Sequence, residues 1–216
     1  MTEEEAKLWL KEQFAVSRET WDRLERYVAL LLEEMQHQNL IAESTRDHVW
    51  ARHIVDSAQL LRLAPAARPG ALWIDLGAGA GLPGVVVAIL SGYDVLMIEM
   101  RKKRVAFLEA MIADLGLGNA RVMGQKVEQT QLPDHVRAAV ISARAYAPMD
   151  RLIDSARHLA GKKTVWILPK GQNFKNELAI ATTLWHSDAH VEQSLTAPDS
   201  AILILGSVRE QGYRAS

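Results

Sequence analysis

The spacing of apolar side chains changes near residue 70 and divides the chain into two parts. Before this point, apolar positions recur every three or four residues, a period that predicts helices. The clearest such stripe, which we expect to pack in the core, consists of Trp21, Leu24, Val28, Leu31, Leu32 and Met35. Thr2 and Glu5 have the spacing of a capping box at a helix start. A third helix is predicted from about Arg46 to Leu61, with Thr45 as its N-cap.

Short apolar runs alternate with helical patterns beyond a linker at residues 64–70, which contains two prolines and a glycine. Strands are predicted for ALWIDL, DVLMIE, ARVMG, AAVISA, KTVWIL, HVEQSL and AILILGSV. Helices are predicted from Pro83 onward and for RKKRVAFLEAMIADLG and NFKNELAIATTLWH. This order favours a mostly parallel sheet with helices on both faces and an antiparallel last pair of strands. We therefore predict a helical N-terminal extension, residues 1–63, and an α/β domain, residues 71–216.

The amino-acid composition excludes several kinds of functional site and bears on where in the cell the protein is expected. The 216 residues include no cysteine, which excludes disulfides, thiolate metal sites and cysteine nucleophiles. The beginning of the chain is acidic and lacks the apolar centre of a secretory signal, and no apolar run reaches about 18 residues. We expect a cytoplasmic protein without a membrane span. Near His53 there is no second histidine at ligand spacing, so no metal site is expected.

A glycine-rich loop, LWIDLGAGAGLPG at residues 72–84, follows the first predicted strand of the domain and opens a helix. Ligands of open parallel sheets bind beyond the carboxyl ends of the strands, and a helix start with glycines exposes backbone N–H groups. The next strand ends at Glu99, 20 residues after Gly79. A carboxylate at that place suits the two hydroxyls of a ribose. The ligand is therefore predicted to be a nucleoside derivative.

Three interpretations of this loop stay open on the motif alone. Gly79-x-Gly81-x-x-Gly84 matches the dinucleotide-binding pattern literally, although that pattern is weakly specific. The order D-x-G-x-G-x-G from Asp75 resembles motif I of the class I methyltransferases, which bind S-adenosylmethionine. That resemblance implies that Asp75 serves the methionine end of the cofactor and Glu99 its ribose. The third interpretation is a glycine-rich turn with a packing role only.

Several further segments together resemble one family. Between Gln38 and Pro148 the chain contains, in this order, QNLIAESTRDHVWARHIVDS, DLGAGAGLPG, IEMRKKRVAFLE, GQKVEQ and ISARAYAP, and the similarity covers roughly residues 20–175. They are similar to the RsmG family (glucose-inhibited division protein B), the bacterial 16S ribosomal RNA guanine-N7 methyltransferases. The resemblance implies a Rossmann-like class I methyltransferase fold with a seven-stranded, mostly parallel sheet, last strands antiparallel, and a helical N-terminal extension. It also implies S-adenosylmethionine contacts at Gly77, Leu82, Val127, Glu128 and Arg144.

One departure from the family affects the position of Arg144. Family members often have Ser-Arg at the end of the fourth strand, whereas this chain has SARAYA. Arg144 is aligned by its R-A-aromatic-A context, and a shift by one residue would misplace it.

The charge distribution agrees with a polyanionic substrate. Residues 100–175 contain fourteen Lys and Arg against six Asp and Glu, whereas residues 1–70 contain nine against twelve. A basic region at the ligand-binding edge favours contacts with RNA phosphates. With the family resemblance, this predicts 16S ribosomal RNA or the small ribosomal subunit as partner, for an enzyme expected to be a monomer.

The six tryptophans show no cluster along the sequence and are expected mostly in the core.

Residues that the chain lacks restrict which atom of the substrate can accept the methyl group. Methylation of pyrimidine C5 generally needs a cysteine, which the chain lacks. Amine methylation typically uses an Asn/Asp-Pro-Pro-aromatic motif at the end of the fourth strand, and ribose methylation uses an aspartate there. The sequence at that place, SARAYAP, has neither. Guanine N7 already has a free lone pair, so positioning alone can supply much of the rate. Arg144 and Lys170 are candidates for orienting the guanine or its phosphate. A dinucleotide-dependent oxidoreductase and a non-catalytic S-adenosylmethionine-binding module remain alternatives.

Overall fold

Seven strands form one sheet in the computed structural model, which describes residues 1–212. The first five pair in parallel, and β7 lies antiparallel between β5 and β6. The spatial order is β3-β2-β1-β4-β5-β7-β6. The strands are β1 (Leu72–Leu76), β2 (Asp94–Ile98), β3 (Ala120–Met123), β4 (Ala138–Ala143), β5 (Ala160–Lys170), β6 (Trp185–Gln193) and β7 (Ala201–Glu210). The predicted mostly parallel sheet with an antiparallel last pair is confirmed.

The helices cover the sheet because its central strands are apolar on both faces. Every residue of β1 is buried, so neither face can meet water. The helices after the linker are α4 (Gly84–Leu90), α5 (Lys102–Asp114), α6 (Met149–Ala156) and α7 (Phe174–Ala181). α6, which connects β4 to β5, was not predicted from the sequence. The order strand, glycine loop, helix places the loop at the carboxyl end of β1, as predicted.

The N-terminal extension begins with α1 (Glu3–Phe14) and α2 (Arg18–Glu34). The predicted capping box is confirmed, because the Glu5 N–H donates to the Thr2 hydroxyl at 3.2 Å and the Thr2 N–H donates to the Glu5 carboxylate at 2.8 Å. Of the predicted apolar stripe, Leu24, Val28 and Leu31 are buried.

The predicted continuous third helix is wrong in its geometry. A 3₁₀ turn at Glu43–His48 is followed by a π-helical turn at Trp50–Ile54, by α3 (Val55–Ala58) and by a second 3₁₀ turn at Gln59–Arg62. Thr45 lies inside the first turn and caps no helix; its hydroxyl donates to the carbonyl of Ala42 at 2.7 Å. The start of the π-helical turn is instead capped from α1, since the Glu3 carboxylate accepts the N–H groups of Trp50 and Ala51.

The extension and the α/β domain share one hydrophobic core. Leu24 and Leu31 of α2 belong to the same buried cluster as Val85 of α4 and Leu108 of α5. The predicted boundary between residues 1–63 and 71–216 therefore marks where the secondary structure changes from helical to α/β, although both parts pack around one core. Residues 213–216 lie outside the described part.

Trp21 stacks on Trp50 with ring centroids 5.0 Å apart, so the expectation of unclustered tryptophans is wrong for this pair.

No helix within residues 1–212 combines the length and apolar composition that crossing a membrane requires.

Candidate active site

Two cavities lie next to each other beyond the carboxyl ends of the strands. The glycine-loop cavity has a volume of about 440 Å³ and is lined by Gly77, Ile98, Glu99, Met100, Arg101, Arg104, Gln125, Lys126, Val127, Glu128, Ala145 and Tyr146. The arginine cavity has a volume of about 510 Å³, and its wall includes Thr45, Arg52, His53, Asp56, Arg144, Lys170, Glu177 and Thr196. Ala145 and Tyr146 line both. Ala145 has a φ of 51°, a left-handed conformation that is uncommon for a residue with a Cβ.

The glycine loop needs its glycines for two different reasons. Gly77 has a φ of 64°, and a Cβ at this position would lie 2.6 Å from the Tyr146 ring. Gly81 has a φ of 90°, and its Cβ would lie 2.5 Å from the Val85 side chain. Packing therefore explains part of the glycine content. At Gly79 the nearest atom to such a Cβ is an Arg104 nitrogen at 3.4 Å, so glycine is favoured there by its φ of 56° and not by contact with other side chains.

Glu99 connects the end of β2 to this loop. One carboxylate oxygen accepts the Gly79 N–H at 3.0 Å, and the other accepts the Arg101 N–H at 2.8 Å. A guanidinium nitrogen of Arg104 lies 3.8 Å away. Each carboxylate oxygen can accept a second hydrogen bond, and Glu99 lines the glycine-loop cavity. The carboxylate therefore fits the ribose-binding role that the sequence predicted.

Asp75 lies beneath the loop rather than in the cavity, contrary to its expected contact with the methionine end of the cofactor. The side chain is completely buried, and its two oxygens accept the Gly84 N–H and the Ser142 hydroxyl, both at 2.9 Å. Burial raises the pKa of the Asp75 carboxyl to about 7, an effect that these hydrogen bonds oppose. Asp75 therefore joins the start of α4 to β4 and supports the loop from inside.

The remaining predicted cofactor residues divide into two groups. Val127, which is buried, and Glu128, which is exposed, both line the glycine-loop cavity, and their predicted contact with a cofactor stays a prediction. Leu82 is buried and does not line this cavity, nor does Gly79, whose N–H is directed to Glu99. Their direct contact with a cofactor stays a prediction.

Arg144 follows β4 and lines the arginine cavity, not the glycine-loop cavity. Its guanidinium lies 3.4 Å from the Asp56 carboxylate and is hydrogen-bonded to Nδ1 of His53. About a quarter of the Arg144 side chain is exposed. The extension thus supplies two partners for an arginine of the α/β domain, and a contact between Arg144 and a cofactor stays a prediction.

Lys170, at the end of β5, lies in the wall of the same cavity. Its ammonium group donates to the Glu177 carboxylate at 2.7 Å and to the Ala147 carbonyl at 3.1 Å. Only 9% of its side chain is exposed, so Lys170 is not a solvated surface lysine. The structure therefore brings both predicted orienting cations, Arg144 and Lys170, to one cavity.

Sequence reasoning missed the contribution of the loop between β6 and β7. The Thr196 hydroxyl donates to Asp56 at 2.7 Å, and Arg52 donates to the Thr196 carbonyl at 3.1 Å. The Gln59 side chain accepts the Leu195 N–H at 2.9 Å. These pairs are more than 130 residues apart in the chain, and no sequence spacing indicates such contacts.

The glycine-loop cavity suits a nucleoside cofactor. Its volume lies in the range of small-molecule sites. It combines the Glu99 carboxylate with apolar surface from Ile98 and Val127. Within the described residues there is no cluster of three or more metal-ligating side chains.

Comparison with known proteins identifies the relatives of the chain. The family model GidB, described as rRNA small subunit methyltransferase G, matches residues 20–202. "Ribosomal RNA small subunit methyltransferase G" of Sphingopyxis alaskensis is 48% identical over 94% of this chain and 85% of its own length. The protein of the same name from Zymomonas mobilis is 46% identical over 94% of this chain and 93% of its own length.

Solved structures with low sequence identity share the fold. The O-methyltransferase TomG from Streptomyces achromogenes, solved in complex with S-adenosylmethionine, gives a TM-score of 0.59 at 11% identity over 93% of this chain and 94% of its own. A SAM-dependent methyltransferase from Aquifex aeolicus gives 0.58 at 12% identity over 81% of this chain and 95% of its own. The predicted class I methyltransferase fold is thereby confirmed.

Proposed function

The chain belongs to the GidB family of small-subunit ribosomal RNA methyltransferases, and on that premise we propose that it transfers a methyl group from S-adenosylmethionine to N7 of a guanine in 16S ribosomal RNA. The structural observation that carries this proposal is the junction of the two cavities at Ala145 and Tyr146. A cofactor on the glycine loop and a base beside Arg144 would meet there.

The glycine-loop cavity is the proposed cofactor site. Glu99 binds the ribose hydroxyls, while Val127 and Glu128, which line the same cavity, contact the base of the nucleoside. Asp75 acts indirectly by holding the loop. When bound, S-adenosylmethionine supplies an electrophilic methyl group on a positively charged sulfur.

The arginine cavity is the proposed guanine site, and its residues act by orientation. The N7 lone pair must remain free, so a guanidinium hydrogen bond to N7 would block the reaction. Arg144 and Lys170 therefore donate to the neighbouring O6 atom or to a phosphate. Alignment of this kind contributes up to about 7–11 kcal/mol in well-oriented reactions, which makes a general base unnecessary for a nitrogen that carries no proton.

The surrounding charge supports binding of RNA. Arg101, Arg104 and Lys126 line the glycine-loop cavity, and Lys102 and Lys103 continue the basic stretch along α5. Four of these cations, Arg101 to Arg104, precede or begin α5, where they oppose its dipole and gain nothing for the helix. A role in contacting phosphates accounts for their placement. That the enzyme acts as a monomer in the cytoplasm remains a prediction.

The reaction is tested with labelled S-adenosylmethionine and RNA from cells that lack the protein. Methylation at N7 makes the base cationic and weakens its glycosidic bond, so reduction followed by aniline should cut the strand at one nucleotide of 16S ribosomal RNA. Label on another guanine atom, on ribose or on a small metabolite would overturn the choice of acceptor. Cofactor binding without transfer would favour the non-catalytic module, and preferential binding of NAD(P) would favour an oxidoreductase.

Three variants test the orienting residues. Arg144→Ala should suppress methylation more than Lys170→Ala, because Arg144 lies nearer to the junction in sequence and is held on two sides by His53 and Asp56. Lys175→Ala is the matched control, since Lys175 is exposed on α7 and does not line the arginine cavity. Equal activity of all three variants would exclude both orienting roles.

A further inference from the structure

His53 is a buried histidine at the contact between the extension and the carboxyl end of β4. Only 4% of the residue is exposed, and the ring belongs to the π-helical turn Trp50–Ile54. Its Nε2 lies 2.7 Å from the Thr45 hydroxyl, and its Nδ1 is hydrogen-bonded to the Arg144 guanidinium. Both ring nitrogens are therefore engaged, one by the extension and one by the α/β domain.

These contacts determine where the ring carries its hydrogen. A guanidinium only donates, so Nδ1 must accept from Arg144 and carries no proton. Nε2 then carries the hydrogen and donates it to the Thr45 oxygen, whose own hydrogen is directed to the Ala42 carbonyl. The chain of donors and acceptors from Arg144 to Ala42 is complete with a neutral imidazole in this one tautomer.

The surroundings favour the neutral ring. Burial, together with the positive charges of Arg144 and Arg52, lowers the pKa of His53 to about 3. The Asp56 carboxylate, which also faces the guanidinium, accepts from Thr196 and Gln59 as well as from Arg144. A protonated His53 would direct an N–H group at the Arg144 guanidinium and break the contact.

We propose that neutral His53 is a positioning residue for methyl transfer, which holds the Arg144 guanidinium through Nδ1 and so directs its remaining N–H groups into the arginine cavity. This inference rests on the proposed function and deepens it. An arginine has five N–H donors, and the contacts with His53 and Asp56 use two of them. The other three make no hydrogen bond within residues 1–212, and the two residues of the extension fix the orientation of the guanidinium that offers them to a base or a phosphate.

The competing explanation is that His53 only stabilises the contact between the extension and the α/β domain. Two substitutions of His53 distinguish this structural role from a positioning role. The side-chain oxygen of asparagine reaches the place of Nδ1, so His53→Asn keeps an acceptor for Arg144 and loses the contact with Thr45. The longer amide of glutamine reaches the place of Nε2, so His53→Gln keeps Thr45 and loses Arg144. Thr45→Val is the control that keeps the contact with Arg144 and removes the partner of Nε2, together with the hydrogen bond from Thr45 to the Ala42 carbonyl.

Steady-state kinetics with RNA give the first measurement. His53→Gln should lower kcat/KM about 10- to 100-fold, as expected when a positioned group loses its alignment, and His53→Asn should restore it to within about threefold of the native value. Thr45→Val should resemble His53→Asn. The proposal would be overturned by the reverse order, in which His53→Gln is active while His53→Asn and Thr45→Val lose activity in proportion to their loss of melting temperature.

A second measurement does not depend on the reaction. Nitrogen NMR of cofactor-free protein with isotope-labelled histidine should show one ring, absent from His53→Asn, that stays neutral with its hydrogen on Nε2 from about pH 8 to pH 5, where an ordinary histidine protonates. Protonation near pH 6.5 or a hydrogen on Nδ1 would overturn the proposal even with full methyl transfer. The expected spectrum without any methyl transfer would instead locate the failure in the proposed function.

Discussion

The hydroxyl of Tyr27 on α2 donates a hydrogen bond of 3.0 Å to the carbonyl of Ala80 in the glycine loop. Tyr27 is completely buried, so water does not compete for this contact. The N-terminal extension therefore supports the proposed cofactor loop directly, at a point where the loop carbonyl would otherwise lie unpaired in the core.

Replacing Tyr27 by phenylalanine tests this support. Tyr27→Phe leaves the Ala80 carbonyl without its donor and should lower the free energy of unfolding by about 1–3 kcal/mol. It should also weaken binding of S-adenosylmethionine, measured by calorimetry. Tyr93→Phe is the matched control, because the Tyr93 hydroxyl donates to the Pro65 carbonyl away from the loop. Equal effects of both variants on cofactor affinity would contradict a specific role of Tyr27.

Removing residues 1–63 should expose the apolar face of α4 and α5 that α2 covers, and the truncated protein should be poorly soluble. It should also lose methyl transfer, since His53 and Asp56 of the arginine cavity are removed with it. Light scattering and the RNA assay check the two effects. A monodisperse and fully active truncation would contradict both roles of the extension.

An alanine at Gly77 should be destabilising for two reasons. Its φ of 64° disfavours a side chain, and the new Cβ would lie 2.6 Å from the ring of Tyr146. We expect a loss of more than about 1 kcal/mol in the free energy of unfolding and weaker cofactor binding. Gly118→Ala is the control, because nothing lies within 4 Å of a Cβ there. Similar urea midpoints for the two variants would be inconsistent with this packing.

Glu99→Gln tests the ribose-binding role. The substitution keeps the size of the side chain but removes the negative charge and one acceptor oxygen. Affinity for S-adenosylmethionine and S-adenosylhomocysteine should fall by about 1–3 kcal/mol, the range for loss of a charged hydrogen-bonding partner. Glu109→Gln, exposed on α5, serves as control in the same calorimetric titration. An unchanged affinity of Glu99→Gln would exclude this carboxylate from the cofactor site.

Asp75 makes stability depend on pH. The pKa of its buried carboxyl is raised from 3.8 to about 7, so the folded protein holds this proton more tightly than the unfolded chain does. Its contribution to stability is complete below about pH 4 and is lost as the pH rises through 7, by up to about 4 kcal/mol.

Asp75→Asn isolates this contribution because asparagine does not titrate. In urea unfolding between about pH 4 and pH 8, the native protein should lose stability relative to Asp75→Asn as the pH rises. The asparagine amide can still accept from Gly84 and donate to the Ser142 oxygen, so the variant should fold. A difference that stays constant or changes in the opposite direction would show that Asp75 is ionised in the folded state.

Local patterns in the sequence determined the sheet, the glycine loop and Glu99. Strand and helix periods, capping residues and turn glycines act over a few neighbouring residues, and six of the seven strands were predicted close to their observed bounds. The sixth was predicted at residues 190–195, whereas β6 begins at Trp185, inside the segment predicted as the last helix. The loop between β1 and α4 follows from the same local chemistry, as does the position of Glu99 at the end of β2. The resemblance of several motifs to one family, confirmed by the family match over residues 20–202, added the activity.

Only the tertiary structure decided how distant groups share their hydrogen bonds. Asp75 matches a cofactor motif, yet Ser142 and Gly84 occupy its oxygens. His53 and Asp56 show helical spacing, but their partner is Arg144, about 90 residues away. The reason is physical: burial and donor geometry depend on which elements pack together, and the residues next to a position in the sequence do not indicate which distant elements pack against it.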